Sequence, residues 1–187
     1  MTGNVMIIIT GAPATGKTTL SNELAKKYGL PKINKDEIKE LLFKSLEVKD
    51  SKWTTELGIA SFELTYFFAE KLAQTGKVFI VEGNFDNKYA SNIFNSIKSK
   101  YMYKVVQLYC YANCEILYER FINRNLSGNR HPGHIRDING IDDFKNKIIN
   151  RNFKLDIENS INLDIDTTNF AEVDFQEIFQ VVDINIK

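Results

Sequence analysis

Eight residues near the start, Gly11-Ala12-Pro13-Ala14-Thr15-Gly16-Lys17-Thr18, constrain this chain more than any others. They read G-x-x-x-x-G-K-T, a pattern that cradles phosphate groups. Their flanks supply the context the pattern needs. Val5-Met6-Ile7-Ile8-Ile9-Thr10 is a short apolar, β-branched run of the kind that forms a buried parallel strand. Thr19 to Tyr28 puts Leu20, Leu24 and Tyr28 on one helical face, and Gly29 and Pro31 stop the helix.

The residue types explain the chemistry. Gly11 and Gly16 have no Cβ, so the backbone takes unusual dihedrals and comes close to an anion. Loop amides between Gly11 and Thr19 then form a nest for phosphate oxygens, and the helix starting near Lys17 adds its positive end. Lys17 is expected to reach the β- and γ-phosphates of ATP, and the Thr18 hydroxyl to hold Mg²⁺.

Bulk properties narrow the class. The chain has 187 residues, 43% hydrophobic and 26% charged, which fits one globular domain over 1–187. No apolar run is long enough to span a membrane, and the start lacks a signal-peptide pattern. Cys110 and Cys114 have no ligand cluster around them and read as free thiols of a reducing cytoplasm. A net charge of zero argues against a broad nucleic-acid footprint. Yet all five arginines (Arg120, Arg124, Arg130, Arg136, Arg151) and both histidines (His131, His134) fall within 120–151. That is the place for a local anion site.

Strands and helices alternate along the chain. Strands are expected at 31–34, 77–85, 104–111 and 161–166 after the first one. Helices are expected at 36–43, 54–75, 88–100, 113–125 and 142–153, with a last one from about 174. The helix over 54–75 carries a stripe of Leu57, Ala60, Ser61, Leu64, Phe67, Phe68 and Leu72. Its aromatics, with Trp53, read as core rather than pocket. Residues 44–53 read as a polar connection, and 126–134 as an irregular loop. The result is one α/β domain, a mainly parallel sheet with helices on both faces.

Two acids sit at strand ends. In open parallel sheets, ligands bind at the carboxyl ends of the strands. Glu82 ends the apolar run 78–81 and is expected to face the phosphate loop, orienting a Mg²⁺-bound water or the acceptor. Asp36 follows the second strand; it either caps the next helix or serves as base for an acceptor hydroxyl. Asn34-Lys35-Asp36-Glu37 superficially matches the guanine-reading N-K-x-D motif, but the fourth residue is Glu37 and the segment comes too early, so a GTPase is rejected. Arg120 and Arg124 share a helical face and lead into the Gly/Pro/His loop with Arg130. They read as a lid over the nucleotide, spanning about 124–140 and stabilising the transferring phosphate.

Gly11 to Thr18, Ile33-Asn34-Lys35-Asp36, Val81-Glu82-Gly83-Asn84-Phe85 and Arg120-x-x-x-Arg124 together resemble the small P-loop kinases. That group includes the kinase domain of phage-type polynucleotide kinase, chloramphenicol phosphotransferase, zeta-toxin kinases, and gluconate and adenylylsulfate kinases. The resemblance implies a five-stranded parallel sheet in order 2-3-1-4-5, an arginine lid, and Asp36 as general base. It implies an acceptor site that includes Lys39, Asn84 and Phe85 beside Asp36 and Glu82. It also implies an adenine contact at Ile165-Asp166-Thr167-Thr168, through the backbone or through Thr167 and Thr168. Polynucleotide kinases carry an arginine three residues after the acid, where this chain has Lys39. The leading expectation is an ATP- and Mg²⁺-dependent kinase for a small-molecule hydroxyl. The alternatives are a 5′-hydroxyl polynucleotide kinase and an ATP-switched regulatory binding protein.

Overall fold

The apolar run before the glycine loop forms β1 (Val5–Gly11), buried at every position. The computed structural model describes residues 3–46, 50–128, 130–135 and 137–186. β1 is the middle of a five-stranded sheet with β2 (Lys32–Asn34), β3 (Phe79–Glu82), β4 (Lys104–Tyr111) and β5 (Ile161–Asp166). The order is β2-β3-β1-β4-β5, and every pairing is parallel. This is the expected 2-3-1-4-5 order.

Register sets which edge of the sheet carries chemistry. Ile9 pairs with Glu82, Asn34 with Glu82, and Gly11 with Cys110. The carboxyl ends of β1, β2 and β3 therefore come level, and their following residues share one rim. Alternation along β1 serves two cores. Met6 and Ile8 join Phe79, Val81 and Val105 on one face, under α3 (Ser51–Ala73) and α4 (Asn87–Tyr101). Ile7 and Ile9 join Ile80, Val106 and Leu108 on the other, under α1 (Lys17–Tyr28) and α7 (Phe175–Ile186).

Local chemistry matches the helix ends. Gly29 takes φ +63° and closes α1 through its amide on the Ala25 carbonyl. α2 (Lys35–Ser45) follows β2 without a loop, and Asn34 caps it. α3 runs 23 residues, and its buried face is Leu57, Ser61, Thr65, Ala69 and Ala73. The expected stripe is therefore corrected at Phe67 and Phe68, which are half-exposed, as is Trp53. The small residues face inward because α3 lies close against the sheet, while Phe62 and Tyr66 flank them and pack on Phe85.

The segment after α5 (Cys114–Leu126) departs most from expectation. Residues 142–153 do not form one helix. α6 (Gly140–Phe144) is short and passes into a π-turn over Lys145–Ile149. Beyond it the chain extends, with Phe153, Leu155 and Ile157 buried. Buried polar groups fix that extension. Thr10 Oγ1 donates to the Phe153 carbonyl at 2.8 Å, and the Gln107 side chain makes two bonds with Leu155 (3.0 and 2.8 Å). Tertiary satisfaction of the backbone outweighs helical spacing here.

Candidate active site

The glycine loop is built from conformations that other residues resist. Gly11 has φ +145°, and a Cβ there would lie 2.1 Å from the Cys110 carbonyl oxygen. Gly16 has φ +79°, and a Cβ there would lie 2.4 Å from the Phe170 ring. Both sites need glycine. Thr15 Oγ1 donates to the Ala12 carbonyl at 2.8 Å and so braces the loop from inside. Lys17 is buried, and its Nζ donates to the same carbonyl at 2.7 Å. Burial pulls the Lys17 pKa down, opposed by the negative charge of Glu82 and Asp36.

The acids face it across the rim. Glu82 is only 3% exposed. It accepts from the Thr18 hydroxyl at 3.3 Å and from the Asn34 side-chain amide. Burial pushes its carboxyl up, against the pull of Lys17. Asn34 does a second job: its Oδ1 accepts from the Asp36 and Glu37 amides (2.7 and 3.1 Å) and caps α2. The cap is thus Asn34, which leaves the Asp36 carboxylate free of that duty. Burial would raise the Asp36 carboxyl, but Lys35, Lys17 and, in the acid range where it is protonated, His134 outweigh it and hold the pKa at about 2. Lys35 Nζ lies 3.1 Å from Asp36 Oδ1. Asn34 and Lys35 were missed in the sequence; an asparagine just before a helical run is a legible capping signal.

These groups line one cavity of about 740 Å³. Pro13, Ala14, Gly16, Lys17, Thr18 and Thr19 form one side. Asn34 to Glu37, Lys39, Glu40, Glu82 and Asn84 form another. Arg120, Arg124, Arg130, Gly133, His134 and Phe170 close it. Loop, acids and three of the five arginines therefore meet. Arg151 is exposed, and Arg136 lies outside the described residues.

Several expected contacts are arranged differently. Phe85 is not at the cavity: it is fully buried against Phe62, Tyr66 and Phe94, because Gly83 and Asn84 turn the chain back into the core. Thr167 Oγ1 donates to the Tyr111 carbonyl at 2.9 Å, and Thr168 Oγ1 accepts from the Asn113 amide at 3.1 Å. Both hydroxyls thus fasten the end of β5 to the end of β4 instead of facing the cavity. Arg120 donates to the Thr167 and Thr168 carbonyls at 2.9 and 3.0 Å, so its fork supports that corner. Phe170, three residues after Thr167, is the ring that reaches the cavity there and covers Gly16.

The segment after α5 docks on α2. Lys39 is buried and donates to the Gly133 carbonyl at 2.7 Å. His134 Nε2 lies 3.0 Å from Glu40 Oε1, and its Nδ1 lies 4.0 Å from Asp36 Oδ1. The His131 ring packs edge-on to Phe43 at 5.0 Å. Burial lowers the His134 pKa, opposed by Asp36 and Glu40, so the ring favours its neutral form. Arg130 stacks on Phe121 with its guanidinium 4.6 Å from the ring centre.

The donor set fits Mg²⁺. Thr18 Oγ1 and Glu82 Oε2 are hard oxygens side by side. Among the described residues no group of three or more His, Cys, Asp or Glu side chains could hold a metal alone. A magnesium ion that keeps its waters and shares phosphate oxygens needs only such a pair. The buried Cys110 thiol is pushed up to about 12 by burial and belongs to the core. Among the described residues, no helix is long and apolar enough to cross a membrane.

Known proteins fit this architecture. The model of a family described as AAA domain matches residues 6–138. A crystal structure of a candidate kinase from Chloroflexus aurantiacus J-10-fl is 31% identical, covers 99% of this chain and 100% of its own, and superposes with a TM-score of 0.89. A gluconokinase from Sinorhizobium meliloti 1021 is 13% identical, with 99% and 95% coverage and a TM-score of 0.50. A shikimate kinase from Bacteroides thetaiotaomicron is 22% identical, with 76% and 74% coverage and a TM-score of 0.50. No curated protein matches. With its phosphate loop, acid-lined rim and 2-3-1-4-5 sheet, the chain belongs to the AAA domain family, within the small P-loop kinase superfamily.

Proposed function

We propose that this protein transfers the γ-phosphate of ATP to a hydroxyl of a small molecule. The observation that carries the reading is the meeting of Lys17, Thr18, Glu82 and Asp36 around one cavity. A migrating phosphoryl group needs positioning and positive charge more than covalent chemistry. The glycine loop holds the β- and γ-phosphates, with Lys17 exchanging the Ala12 carbonyl for phosphate oxygens. Thr18 and Glu82 would hold magnesium, Glu82 through a water, and the ion would supply positive charge to the phosphate oxygens. Asp36 receives the acceptor's hydroxyl proton, and its low pKa keeps it ionised at neutral pH. Arg124 and Arg130 approach from the lid over about 124–140 and face the transferring phosphate. Arg120 acts with them by holding the Thr167–Thr168 corner at the expected adenine end.

Replacing Asp36 with asparagine tests this. Transfer should fall about 100-fold or more while ATP affinity stays near normal. Unchanged transfer would remove Asp36 as base. A regulatory ATP-switched protein would instead show nucleotide turnover indifferent to the change. The polynucleotide alternative gains no base-stacking surface within the cavity from α3, because Trp53, Phe62, Tyr66, Phe67 and Phe68 are not among its described lining residues.

A further inference from the structure

We infer that the acceptor carries an anionic group, a carboxylate or a phosphate, close to the hydroxyl that is phosphorylated, and that Lys35 reads it. This rests on the kinase reading above and specifies its substrate.

Lys35 is an unusual lysine for the first turn of a helix. Its side chain is only 7% exposed, yet it lines the cavity. Helix N-termini favour anions, so a cation at this position is held there against the local dipole. It is held by close packing: Gly83 lies so near that a Cβ there would sit 3.2 Å from Lys35 Cβ. The ammonium rests 4.7 Å above the Phe62 ring and 3.1 Å from Asp36 Oδ1. A ring face and one oxygen of a half-open carboxylate do not use all three N–H donors of a desolvated ammonium. A bound anionic group would complete the set.

Two further observations describe the rest of the acceptor side. Asn84 lines the same cavity, and its buried Oδ1 has no hydrogen-bond partner among the described residues. A carbonyl oxygen in that state asks for a donor, which a second hydroxyl of the acceptor supplies. Nearby carboxylates besides Asp36 are already engaged. Glu37 pairs with Lys32 at 2.8 Å, and Glu40 with His134 at 3.0 Å. The spacing sets the chemistry. Because Lys35 Nζ is 3.1 Å from one oxygen of the carboxylate proposed to meet the reacting hydroxyl, hydroxyl and anion lie within a few bonds of each other. A hydroxy acid or a phosphorylated polyol has that form.

The test uses matched probes on the whole protein with ATP and Mg²⁺. Glycerate and glycerol 3-phosphate are compared with glycerol, and aldonates with the alditols of the same carbon skeleton. Transfer and binding are both read, on the wild type and on Lys35→Met and Lys35→Arg; ADP affinity reports that each variant has folded. The inference expects anionic members to be favoured at least 10-fold over their neutral partners. Lys35→Met should raise KM for them by about 10- to 100-fold, the loss of one charge-assisted hydrogen bond, and raise KM for neutral polyols at least several-fold less. Lys35→Arg should recover part of the preference. Which arm responds, carboxylate or phosphate, assigns the source of the charge. Equal use of neutral and anionic members, or one KM change for both, would overturn the inference and leave the kinase reading standing. Bound ADP with no anionic member bound or phosphorylated would overturn it as well. Failure to bind nucleotide at all would instead remove the functional reading beneath it.

Discussion

At the scale of single residues, the pairing of Asp36 with Lys35 decides how the site responds to pH. The folded Asp36 pKa is about 2, below the ordinary carboxylate value near 3.9. A depressed carboxyl favours the fold above its unfolded value and loses that contribution as pH falls through the folded value. Asp36 is therefore ionised at every pH where the protein works, and it imposes no acid limb on kcat/KM above about pH 4. Removing the Lys35 charge leaves burial, which acts upward, less opposed. Lys35→Met should thus move an acid limb to higher pH, and a pH profile measured on an anionic acceptor checks it; a profile with its limb unmoved would deny Lys35 that influence. The position of Asp36 on the rim was legible in the sequence, because an acid just after a strand end lies at the sheet edge where ligands bind. The place of Lys35, and the bond from Asn34 to Glu82, were not, since they depend on Phe62 and Glu82, 27 and 48 positions away.

Elements rather than residues explain how the two sides of the cavity are held together. α2 carries Asp36 on its first turn, and Lys39, Glu40 and Phe43 further along. All three of the latter touch the His131–His134 turn. α2 and the arginine-bearing segment are thereby joined. Gly133 fits because it has no Cβ; one added there would lie 2.9 Å from the Phe43 ring. Gly133→Ala should push the turn off α2. The expected result is faster amide exchange over 131–135 and a lower transfer rate, with the melting temperature shifted by only a few degrees. Exchange as slow as in the wild type would show that the contact does not hold the turn. The sequence marked this stretch as a loop through its Gly and Pro, but the docking partners lie more than 80 positions away in α2. The helix expected over 142–153 failed for a similar reason: Thr10 and Gln107 claim the backbone of Phe153 and Leu155.

For the whole molecule, the sheet does the positioning. Level ends of β1, β2 and β3 put loop, Asp36 and Glu82 on one rim, and the core behind them keeps them there. Phe85 belongs to that core: Phe85→Ala should cost about 3–5 kcal/mol of stability, read by denaturant unfolding. A loss under 1 kcal/mol would return Phe85 to the list of acceptor contacts. The alternation of strands and helices was readable from local pattern, while the strand order followed from the resemblance to small P-loop kinases, because pairing joins segments far apart in the chain. The acceptor was not, because pocket shape comes from residues that meet only after folding. The most direct test of the account is the fate of the γ-phosphate. Protein, Mg²⁺ and γ-labelled ATP are incubated with hydroxy acids, phosphorylated polyols, neutral polyols and a 5′-hydroxyl oligonucleotide, and products are separated. The account predicts label in an alkali-stable ester of a small molecule, lost with Asp36→Asn. Label found only as inorganic phosphate, at the same rate in both proteins, would contradict it.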